Sequence, residues 1–111
     1  MWDLFDSGGT NGQKGSENGT IVRDEEHALG ARITLERDAT TAPFAITCGV
    51  YGWMVHTRFF SVEAEALAQF EEMKDALTAI LATIPLANDP QVDVKMQRVS
   101  EAMSLFVQQY P

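Results

Sequence analysis

FAITCGVYGWMVHTRFF, residues 44–60, is the stretch whose reading decides the fold. As one long strand it would scatter Phe44, Val50, Trp53 and Phe59 over both faces. As a hairpin with Tyr51-Gly52 for a two-residue loop, it pairs Val50 with Trp53, Cys48 with Val55, Ile46 with Thr57 and Phe44 with Phe59. Those eight residues share a face, and all but Thr57 are apolar. The opposite face collects Ala45, Thr47, Gly49, Met54, His56 and Arg58, a small, polar or basic set, and Phe60 follows on the same side. A core face and an open face therefore follow from one segment.

Upstream, GARITLER (30–37) alternates Ala31, Ile33 and Leu35 with Arg32, Thr34 and Glu36, as a half-buried strand does. The short connector from Asp38 to Pro43 pairs it antiparallel with 44–50. Ile21-Val22 starts a further strand that is expected to dissolve into Arg23-Asp24-Glu25-Glu26-His27. Residues 7–20, SGGTNGQKGSENGT, hold five of the eight glycines and read as a flexible Gly/Asn-rich loop. Trp2, Leu4 and Phe5 are too apolar for a free tail, so the first residues are expected to dock as an edge strand or across the sheet.

Two helices follow the hairpin. Ser61 is a good N-cap, with Glu63 and Glu65 at the positive end of the helix dipole. Ala66, Phe70, Met73, Leu77, Ile80 and Ile84 make one apolar stripe, and Pro85 stops it. Asp89-Pro90 opens a second helix with the stripe Val92, Met96, Val99, Met103, Phe106 and Tyr110. One apolar sheet face and two stripes hide one another in a two-layer sandwich. The sequence thus predicts a single α+β domain over 1–111, an antiparallel meander of three to four strands followed by two antiparallel helices on one face.

Composition narrows the function. The formal net charge of −8 and the pI near 4.5 speak against sequence-independent nucleic-acid binding, which needs a basic surface. Residues 61–111 carry most of the acidity, with eight carboxylates against Lys74, Lys95 and Arg98. A single cysteine, the absence of a signal-peptide pattern and the absence of a spanning apolar run predict a cytoplasmic protein that does not engage a membrane.

Chemical motifs are sparse. His56 and Arg58 alternate on the open face with Thr47 opposite and Arg32 nearby, a set that could receive a carboxylate or phosphate; a solvated face is the simpler reading. Cys48 faces the core, where a thiol packs and stays neutral. The Asp24–His27 run lacks further ligands at metal spacing, and Gly12-Gln13-Lys14-Gly15-Ser16 breaks the order of a phosphate loop. No cofactor or metal is implied. Met54, Phe60 and Tyr51 on the open face are residue types enriched at interfaces, and two-fold dimers are the commonest oligomers. The leading expectation is a non-enzymatic homodimeric interaction module. The alternatives are a small-molecule or anion-binding protein or enzyme using His56, Arg58, Arg32 and Thr47, and an acidic accessory subunit docking on a protein partner.

Overall fold

A computed structural model describes residues 1–111. Five strands form one antiparallel meander: β1 (Trp2–Leu4), β2 (Thr20–His27), β3 (Ala31–Arg37), β4 (Phe44–Val50) and β5 (Met54–Phe60), in the order β1-β2-β3-β4-β5. Two helices follow, α1 (Glu63–Leu81) and α2 (Val92–Gln109), packed on one side of the sheet. The α+β two-layer arrangement is the expected one. The sheet has five strands rather than three or four, because the N-terminal arm is itself an edge strand, pairing Trp2 with His27 and Leu4 with Glu25. Neither helix is long and apolar enough to cross a membrane.

β2 does not dissolve at its charged run. It continues to His27 because each buried acid finds a partner outside the strand. On the helix side, Glu25 pairs with Arg23 and with Lys74 of α1, both at 2.7 Å. On the opposite side, Asp24 is bound by Arg32, Thr34 and Thr10. A register shift between Ile21 and Arg23 sets Ile21 and Asp24 on one face, although they are three residues apart.

The hairpin exists, but its register differs from the expected one by a residue. Trp53 N–H closes the turn on the Val50 carbonyl at 2.9 Å, with Gly52 at φ +81°. Two-residue hairpin loops favour mirror-image turns, and Tyr51 does not adopt the positive φ that type I′ or II′ demands at its position. Trp53 is left as an extra residue, and the ladder begins at Val50–Met54 and runs unbroken to Phe44–Phe60. Because strand side chains alternate, this slip exchanges the faces of β5. Met54, His56, Arg58 and Phe60 turn toward the helices, and Val55, Thr57 and Phe59 turn away.

The core lies between the layers. Ala31, Ile33, Leu35, Ile46, Cys48, Val50 and Phe60 of the sheet meet Ala66, Phe70, Met73 and Leu77 of α1 and Val99, Met103 and Phe106 of α2. Both stripes are therefore mainly buried as read, with Met96 left half exposed. α1 stops at Leu81, four residues ahead of Pro85. Its N-cap position is Val62, with no side-chain cap from Ser61. Asp89 Oδ1 accepts the Gln91 amide at 2.8 Å and so starts the turn that leads into α2. α2 runs back along α1, bringing Tyr110 Oη to Glu72 at 3.2 Å.

Candidate functional site

Two surfaces stand out, both on or beside the sheet face away from the helices. The first is a groove of about 670 Å³ between the Lys14–Ser16 segment and the hairpin tip at Tyr51–Val55. Arg32, Thr34, Thr47 and Gly49 form its floor. One wall comes from the glycine-rich segment, which crosses this face in close contact with the sheet. Glu36, with no exposed surface, accepts the backbone amides of Glu17 (3.2 Å) and Gly19 (3.0 Å). Phe5 stacks on the Arg32 guanidinium, centroid to Cζ 3.6 Å, and Thr10 donates to Asp24 at 2.8 Å. The glycines make this approach feasible, since a Cβ at Gly15 would overlap the Glu36 carboxyl and one at Gly19 would lie 2.6 Å from the Arg37 carbonyl oxygen.

The sequence-derived site residues divide between the two faces. Arg32 and Thr47 lie on the open face and both line the groove. His56 and Arg58 lie on the helix side, because of the one-residue slip. His56 donates from Nε2 to the Tyr110 carbonyl and meets the Phe106 ring edge-on. Arg58 reaches the Pro111 carbonyl at 3.2 Å and Gln69 Oε1 at 2.8 Å. Thr47 opposes Thr57, not His56, and the two hydroxyls are 3.2 Å apart. The four residues therefore do not converge. Arg32 pairs instead with Asp24 at 2.6 Å, and Glu36 is taken up by the backbone amides of the glycine-rich segment.

Electrostatics within the groove are largely internal. Burial pushes the Asp24 carboxyl up, but its bonds to Arg32, Thr10 and Thr34 together hold it below its ordinary range. Partial desolvation at the hairpin tip, helped by the adjoining Glu26 carboxylate, pushes the Tyr51 phenol up to about 12, and Tyr51 Oη donates to Glu26. Burial also pushes the Cys48 thiol up to about 12, as its inward position implies. Lys14 forms no ion pair or side-chain hydrogen bond with the rest of the chain. Both histidines lie on the helix side, so no imidazole faces the groove hydroxyls. No three His, Cys, Asp or Glu side chains converge as metal ligands would.

The second surface is the free edge of β5. Phe60 and Met54, expected at an exposed interface, turn inward: Phe60 is buried and Met54 half-buried against the core. In their place Val55 is 79% exposed and Phe59 42% exposed. Tyr51 remains exposed at the hairpin tip. Comparison with known proteins gives no match: no family model, no curated protein and no solved structure aligns significantly with the chain.

Proposed function

We propose that this protein is a non-enzymatic interaction module that works as a homodimer through the outer edge of β5. The observation that carries this reading is the character of that edge. β5 is seven residues long, pairs with β4 without a bulge, and contains no proline, lysine or carboxylate. Monomeric proteins blunt their sheet edges with such devices, or with very short strands, because unpaired backbone groups invite another chain. The opposite edge does this: β1 has three residues. Inward-pointing charges can also guard an edge, and β5 has His56 and Arg58. Here, however, both are engaged within their own chain, His56 by the Tyr110 carbonyl and Arg58 by Gln69 Oε1 of α1.

Sedimentation velocity over about a hundredfold range of concentration tests the reading by mass action. Wild-type protein should sediment as a dimer at the upper end, and Phe59→Lys should remain monomeric with an unchanged far-ultraviolet spectrum. Wild-type protein that is monomeric throughout would remove the reading.

One observation favours a second reading. The groove has the volume of a small-molecule site, mixed apolar walls and one unpaired cation, Lys14, beside Ser16, Thr47 and the Asp24-paired Arg32. A ligand with a carboxylate or phosphate and an apolar body fits that lining. Titration calorimetry with benzoate and with inorganic phosphate tests it, and no saturable heat with either would discard it.

A further inference from the structure

We infer that the partner of β5 is a second copy of β5, paired antiparallel about a two-fold axis beside Thr57. This rests on the reading of the β5 edge as the working surface, and it adds the partner's register. The strand Met54-Val55-His56-Thr57-Arg58-Phe59-Phe60 is a chemical palindrome. Apolar, apolar and basic residues precede Thr57, and basic, apolar and apolar residues follow it.

Geometry leaves few alternatives. A two-fold axis that keeps both helix layers on one side of the joined sheet requires directly opposed residues to share a face. The axis must then pass beside a residue and not between two. An axis at His56 would set Met54 against Arg58 of the other copy. An axis at Arg58 would set two guanidinium groups directly opposite each other, which is unfavourable. At Thr57, Val55 meets Phe59 twice on the open face, and Met54 meets Phe60 twice on the helix side. Pairs of β-branched and aromatic residues are among the stabilising cross-strand contacts. His56 then opposes Arg58, with each already bonded to carbonyl oxygens of its own chain.

Net charge points the same way. The chain carries −8, so two copies repel over most approaches. Met54–Phe60 has no carboxylate, and its pairing sets no acid against acid across the new ladder. The product is a continuous ten-stranded sheet, five strands from each copy, with four helices on one side. The two glycine-rich segments lie across its opposite face.

Cysteine crosslinking reads the register. Directly opposed Cα atoms in an antiparallel ladder are about 4.5–5.5 Å apart, within disulfide reach. Two copies of Val55 would be offset by four residues, on the order of 13 Å along the strand, which is out of reach. The native Cys48 is buried and does not compete. Under mild oxidation, Thr57→Cys should form a covalent dimer at least about tenfold faster than Val55→Cys. The double variant Val55→Cys/Phe59→Cys should also crosslink, which covers the case in which Thr57→Cys alone folds poorly. A dimer in the native mass spectrum of wild-type protein, with Thr57→Cys no faster than Val55→Cys, would overturn the register and leave the functional reading standing. A wild-type monomer at every concentration would overturn both, and an edge that paired only with an added extended peptide would replace the second copy with a foreign strand.

Discussion

Glu36 Oε1 accepts the Gly19 amide at 3.0 Å from a carboxylate that has no exposed surface. This contact, with its neighbour at Glu17, fastens the glycine-rich segment to the sheet and gives the groove one of its walls. Gly19→Ala should cost about 1–3 kcal/mol by overpacking, because the new Cβ meets backbone and not a mobile side chain. Glu36→Ala should cost at least as much by leaving buried amides without an acceptor. Urea midpoints measure both. A midpoint unmoved in either variant would mean that the segment is not held in this way.

Asp24 sets an acid limit on stability. Its carboxyl is buried, and its bonds to Arg32, Thr10 and Thr34 hold its folded value below the ordinary 3.8. A group depressed on folding stabilises fully above its unfolded value and loses that contribution as pH falls through the folded one. Stability should therefore be independent of Asp24 above about pH 5 and decline below about pH 4. Asp24→Asn should be less stable at pH 7 by about 2 kcal/mol, with a flatter acid limb. Denaturation curves from pH 2 to 7, in steps of about one unit, check both slope and sign.

The hairpin register separates two adjacent phenylalanines. Phe60 is buried in the core, so Phe60→Ala should cost about 3–5 kcal/mol. Phe59 faces outward, and in dilute monomer Phe59→Ala should change stability by less than about 1 kcal/mol. The reverse order of midpoints would restore the two-residue turn. Phe70, with no exposed surface, should match Phe60 in cost.

β1 is held by more than its ladder. Trp2 Nε1 donates to Thr78 Oγ1 of α1 at 3.0 Å, and its indole meets His27 edge-on at 5.2 Å. Trp2→Ala should destabilise by about 2 kcal/mol, short of a fully buried aromatic. Removing residues 1–6 should lower the melting temperature further. Thermal unfolding followed by circular dichroism measures both, and an unchanged midpoint would mean that β1 does not dock.

Much of the fold was legible because periodicity reports burial directly. The stripe from Ala66 to Ile80 and the alternation of Ala31, Ile33 and Leu35 place the two layers without any tertiary information. The register of β5 was not legible, because it turns on whether Tyr51 accepts a positive φ, a one-residue matter that composition does not encode. The same slip took His56 and Arg58 out of the open face and put Val55 and Phe59 into it. The role of the glycine-rich segment was hidden for another reason. Glu36 looks like a solvated strand acid until it is known that two amides from 17 and 19 residues upstream bind it. Long-range partners also explain β2: Asp24 and Glu25 read as strand breakers, and Arg32 and Lys74 make them tolerable in a strand.

Amide hydrogen exchange resolved over residues 54–60, at protein concentrations spanning about two decades, tests the edge-pairing account most directly. Pairing between two copies of β5 predicts that the slowly exchanging amides of this strand increase with concentration, while exchange in β1 and in the glycine-rich segment stays constant. Exchange in β5 that is fast at every concentration, in a protein that otherwise retains its protected core, would contradict it.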